Sequence, residues 1–144
     1  MNKKFLFLIL CGFGLLVLTG CGGGDKLHCE TDMDSFLSGL GTMRGTIDVG
    51  FDRDGYAKDV EVTMEGKITS DDVKESDMGA IKKKLEDVCS SNSSKYKSCD
   101  VSVNGKNFKM VASTSIEIGY AELGERKSKE EAKEYFKKLG FTCN

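Results

Sequence analysis

The residues able to do chemistry in this sequence are one histidine, six cysteines and many carboxylates. His28 stands directly before Cys29. A Cys-His pair can make a nucleophile and its base, but it needs a free thiolate and an orienting group. If Cys29 is oxidised no such pair remains, and His28 reads as a surface or strand-edge residue. Thiolates together with His28 could hold a metal, yet the cysteines contain no CxxC spacing. Paired carboxylates would suit glycoside hydrolysis. The chain has no Trp to stack on a sugar and little room for a deep cleft. The turn Asp52-Arg53-Asp54-Gly55, with Glu61 further on, partly matches a calcium loop, in which Asp52 and Asp54 would be the third and fifth ligand positions. The first position would be Gly50, which has no side-chain ligand, and the flanks alternate as strands. A plain hairpin turn is the simpler reading. Gly39-Leu40-Gly41 lacks the following Gly-Lys-Ser/Thr of a phosphate loop. The residues therefore predict no catalytic site, no metal site and no cofactor.

The elements that would carry these residues begin after an address. The chain has 144 residues, 21 Lys+Arg and 23 Asp+Glu. A formal charge of -2 argues against a nucleic-acid binder. At 39% apolar and 31% charged the chain resembles neither a polytopic membrane protein nor a disordered tail. The apolar residues crowd the first twenty positions. Lys3 and Lys4 precede an apolar run from Phe5 to Leu18, and Leu18-Thr19-Gly20-Cys21 closes it. That is the layout of a secretory signal. A helix over the apolar run would span about 21 Å against the ~30 Å of a bilayer core. The closing tetrapeptide resembles a bacterial lipobox, which implies a removable signal peptide over 1–20 and diacylglyceryl attachment to the Cys21 sulfur. Two acyl chains hold a protein on a membrane where one is marginal. Residues 21–26 would form a Gly-rich tether and residues 27–144 a single domain. Losing Lys3 and Lys4 leaves 19 cations against 23 anions, a charge of -4.

Cys11 falls in the removable segment and Cys21 would be lipidated, so Cys29, Cys89, Cys99 and Cys143 remain. An even count in an exported domain reads as a disulfide framework. Three pairings are possible. Cys29–Cys143 with Cys89–Cys99 is preferred, because one ties the ends of the domain and the other closes a Ser-, Asn- and Lys-rich loop.

Alternation places strands at Leu27–Glu30, Thr46–Phe51 and Tyr56–Met64, the last two joined by the Asp52–Gly55 turn. The segment Asp32–Thr42 reads as a loop that docks Phe36, Leu37 and Leu40 on the core. Val73, Met78, Ile81, Leu85 and Val88 recur at mostly three- and four-residue steps, an amphipathic helix over Asp71–Ser90 capped by Ser70 or Ser76. Lys82, Lys83 and Lys84 would form its solvated face. Asn104-Gly105 predicts a second hairpin, with Val101 opposite Phe108 and Cys99 opposite Met110. Alternation from Phe108 through Ile116 to Ile118 predicts one long strand. Ser128 and Glu131 have capping-box spacing, and Ala132, Tyr135, Phe136 and Leu139 form the inner stripe of a helix ended by Gly140. The sum is an α+β domain: an antiparallel sheet of about five strands, two hairpins among them, with two amphipathic helices on one face.

The lipobox Leu18–Cys21, the early Leu27-His28-Cys29, the acidic turn with Gly55, and the closing Lys133 to Cys143 resemble the YehR-like lipoproteins, small bacterial envelope proteins of unknown function. The resemblance implies an α+β envelope domain and carries no catalytic residues. Cys89 and Cys99 depart from its simpler two-cysteine pattern.

The expected function is non-catalytic: a lipid-anchored domain on the extracytoplasmic face of a bacterial envelope, binding a protein, peptide or small ligand or serving the envelope structurally. The alternative is an envelope hydrolase or enzyme inhibitor using carboxylates. The expected contacts are the membrane, through the lipid on Cys21, and a protein or peptide partner, with no nucleic acid. Substituting Cys21→Ala should release the protein from the membrane fraction of cells; unchanged membrane association would refute the anchor.

Overall fold

The structure, a computed structural model, describes residues 25–115 and 127–144. The expected signal segment, Cys21 and the continuation of the alternation to Ile116 and Ile118 lie outside the described residues. The elements run β1 (Lys26–Asp32), a 3₁₀ turn (Asp34–Leu37), β2 (Gly41–Phe51), β3 (Ala57–Ile68), a 3₁₀ turn (Glu75–Asp77), α1 (Met78–Ser91), β4 (Ser98–Asn104), β5 (Asn107–Ser115), α2 (Lys129–Lys138) and β6 (Thr142–Cys143). The fold is α+β. Its sheet is antiparallel, in the order β4-β5-β3-β2-β1-β6. The sixth strand, beyond the five expected, is the tail, which pairs with β1 through Cys29 and Cys143.

Strict alternation makes the sheet two-faced. The inward positions of β1, β2, β3 and β5 include Leu27, Cys29, Ile47, Val49, Val60, Val62, Met64 and Met110, all buried. Met78 of α1 and Ala132 and Phe136 of α2 join the same core cluster. Helix α1 lies against β4 and β5, and α2 against β1 and β6. One inward row crosses all six strands: Cys143, Cys29, Ile47, Val62, Ala112, Cys99. A disulfide sits at each end of it, Cys29–Cys143 with S–S 2.02 Å and Cys89–Cys99 with S–S 1.99 Å. With sequence separations of 114 and 10, the chain-entropy model assigns about 5 and about 3 kcal/mol to them.

Several local expectations shift. Helix α1 begins at Met78, not Asp71. Neither Ser70 nor Ser76 caps it; the Asp77 carboxylate accepts the Lys74 N–H at 2.8 Å in the preceding 3₁₀ turn. Leu40 is 40% exposed rather than docked. Its contribution is the backbone carbonyl, which accepts N–H bonds from Thr69 and Ser70. The second hairpin pairs Val101 with Met110 and Val103 with Phe108. The register is thus two residues from the expected one, because Asn104 belongs to the strand and Gly105-Lys106 makes the turn. Gly105 has φ 57° and Lys106 does not share a positive φ. That combination suits a type II′ turn, whose first central position takes Gly. An even shift keeps each side chain on its expected face. At α2, the Ser128 N–H and hydroxyl both donate to Glu131 Oε2, at 2.9 and 3.0 Å. These bonds hold the Glu131 carboxyl below its usual range, the backbone N–H contributing most.

Two inward strand glycines seat neighbouring side chains. A Cβ on Gly45 would stand 2.7 Å from Met33 Sδ, and one on Gly66 2.4 Å from Phe108 Cζ and 2.7 Å from the Thr42 carbonyl. Gly79, near the start of α1, faces open space. Gly66→Ala should therefore destabilise the domain by about 1–3 kcal/mol through overpacking, whereas Gly79→Ala should stabilise it by up to about 1 kcal/mol. Denaturant midpoints of the two variants measure both signs.

Candidate functional site

The outward positions of the same strands carry His28 and rows of charged side chains. No described helix covers this face. Cross-strand register sorts its side chains into rows. One row reads Asp32, Arg44, Glu65, Lys109, Ser102, so charge alternates in sign from strand to strand. Lys109 Nζ approaches Glu65 Oε2 at 3.5 Å, and Arg44 Nη1 reaches diagonally to Glu30 Oε2 at 3.7 Å. The adjacent row contains Thr63 and Val111, which are buried at 3% and 8% exposure although they point to this face.

A depression of about 940 Å³ opens over the end of the sheet where the Asp34–Leu37 turn and the β4-β5 turn meet. Its lining includes Glu30, Asp32, Asp34, Arg44, Glu65, Lys67 and Lys109, with Ser102, Asn104 and Asn107 on the β4-β5 side. Its carboxylates are engaged. Asp32 Oδ1 accepts the Asp34 N–H at 2.9 Å, Asp34 Oδ1 accepts the Met43 N–H, and Glu30 and Glu65 face cations. The arrangement suits recognition of a polar, charged ligand by fixed donors and acceptors.

The next row toward the other end reads His28, Asp48, Glu61, Ser113, Ser98. His28 Nδ1 lies 2.7 Å from Asp48 Oδ1, and the Ser98 and Ser113 hydroxyls lie 2.8 Å apart. Glu61 is an acid held above its ordinary range, first by burial and then by the Asp48 carboxylate across the strand, with Lys26 acting in the opposite sense. Glu61 does not line the depression. His28 thus faces a carboxylate on the outer face while Cys29 points inward into its disulfide, so neighbours in sequence are separated by the sheet.

The calcium-like turn is otherwise employed. Asp52 Oδ1 accepts the N–H groups of Asp54 and Tyr56, at 2.9 and 3.0 Å, which closes the hairpin. Among the described residues no group of three or more His, Cys, Asp or Glu could hold a metal ion, and no helix among them is long and apolar enough to cross a membrane. The charge rows escaped the sequence reading because alternation marks a residue as outward but does not say which outward residues are neighbours. No family model, curated protein or solved structure matches the chain.

Because Glu61 has a raised carboxyl, its contribution to stability is full below its ordinary value and is lost as pH rises through the raised folded value. Asp48→Asn should lower the Glu61 pKa and Lys26→Ala should raise it. Side-chain chemical-shift titration reads both, and an unmoved Glu61 in the Asp48 variant would refute the charge coupling.

Proposed function

We propose that the protein is a lipid-anchored extracytoplasmic domain with a non-catalytic binding role, of the kind its resemblance to YehR-like lipoproteins implies, and that the depression at one end of the outer sheet face is its binding surface. The observation that carries this is the depression: it opens at one end of the face, and its carboxylates are held by cations and backbone amides rather than poised for proton transfer. Its position agrees with an anchor on Cys21. Strand β1 begins at Lys26, beside Gly50 and the Asp52–Gly55 turn, and ends at Asp32 on the rim of the depression. Six strand steps separate those ends by about 20 Å. Lys129 Nζ holds Asp25 at 2.9 Å, beside the start of α2. A domain anchored there turns the depression toward the side away from the membrane.

The alternative, an envelope hydrolase or enzyme inhibitor, draws on Glu61, whose raised carboxyl beside Asp48 and His28 could serve as an acid. It would require an activity that Glu61→Gln removes while binding persists.

Photo-crosslinking groups placed at Lys67 and Ser102 in the anchored protein should capture a defined partner in cells, and one at Lys83 on α1 should not. Reversal of the rim charge by Lys109→Glu should abolish that capture. Equal capture at all three positions would refute the depression as the binding surface.

A further inference from the structure

The two disulfides stand in different surroundings. Cys29 and Cys143 are 0% and 8% exposed, packed in the core where β6 closes the sheet. Cys89 and Cys99 are half-buried, at the end of α1 and the start of the edge strand β4. The chain between them is mostly exposed; Ser90, Ser91, Ser93, Ser94, Lys97 and Ser98 face solvent. The second bond is therefore the more exposed of the two in the folded domain. Exposure and access are what separate exchangeable disulfides from inert ones.

We infer that Cys89–Cys99 is a thiol-exchange site that an external dithiol opens in the folded protein, releasing the C-terminal half of α1 from β4. The dithiol's thiolate attacks one of the two sulfurs and the S–S bond breaks. The leaving sulfur takes a proton, and the reductant's second thiol resolves the mixed disulfide. The protein gains two electrons and two protons as two thiols, and the dithiol leaves as its own disulfide.

The helix is built to respond. Its one buried residue is Met78, at its first position. Leu85, Val88 and Cys89 beyond it are half-buried, against a strand whose Val101 and Val103 are also half-buried. Asn92 caps the helix from within, its side-chain amide donating to the Val88 carbonyl at 2.9 Å, so this bond does not tie the helix to the sheet. The loop stays fastened to β5 after reduction, since Lys97 N–H donates to the Ser113 carbonyl and the Thr114 hydroxyl to the Lys95 carbonyl. Opening is thereby confined to the stretch from Leu85 to Ser91 and uncovers the apolar side of β4.

The test uses the full-length protein, without denaturant, in graded dithiothreitol, with alkylation and peptide mass mapping. The expected result is complete alkylation of Cys89 and Cys99 while Cys29–Cys143 stays oxidised. Simultaneous loss of both bonds, earlier loss of Cys29–Cys143, or resistance of both would overturn the assignment. Hydrogen exchange supplies the second readout. Reduction should remove protection over residues 85–91 and leave β1 and β6 unchanged, and the double variant Cys89→Ser, Cys99→Ser should reproduce that pattern without reductant. Unchanged protection over 85–91 in either sample would overturn the release of the helix.

Discussion

The apolar row that crosses the sheet from Cys143 to Cys99 is the constraint on which the remaining structure depends. It takes one side chain from each of six strands and ends at each edge in a disulfide. Each edge is thereby closed by a different device. At one, a two-residue tail is held as a strand that is too short to be stable by pairing alone. At the other, a helix with a single buried residue is fastened to the strand beneath it. A domain this small buries a limited fraction of its surface, so covalent closure of both edges supplies what core area does not.

Fixing that row inward fixes every neighbouring residue outward, because successive strand side chains alternate. The outer face inherits the charges. Their sign alternates along the row from Asp32 to Lys109, so attraction between strands adds to the pairing set by the core. These are solvent-exposed pairs and each contributes little to stability. Their consequence is positional: they hold donors and acceptors in a fixed array around the depression. Glu61 shows the opposite case, a carboxyl beside another carboxylate and partly withdrawn from water, and its raised pKa follows from both.

Much of the fold was legible from local pattern. The capping box at Ser128 and Glu131, the Asp52–Gly55 turn, and the inward faces of β2 and β3 depend on residues close in sequence. Misreadings arose where two signals competed. Asn104-Gly105 favours a type I′ turn, yet the strand gains one more pair when Asn104 joins it and Gly105 moves to the first turn position. The apolar spacing from Val73 extends the helical pattern too far, because Asp77 closes a 3₁₀ turn before the helix starts. Leu40 looks like a docking residue by type, but its carbonyl is what the structure uses.

The sequence alone determined which residues face inward, the two-faced character of the sheet, the α+β class and the even cysteine count, since each follows from periodicity or arithmetic. It allowed three disulfide pairings and favoured the one the structure shows, but could not assemble His28, Asp48 and Glu61 into one row, or Asp32, Arg44, Glu65 and Lys109 into another. Those neighbours lie 12 to 44 positions apart in sequence. Their meeting depends on strand order and register, which are fixed by how the described strands and helices jointly bury one apolar face. Tertiary structure therefore decided where the charges meet, where the depression opens and which disulfide remains within reach of solvent.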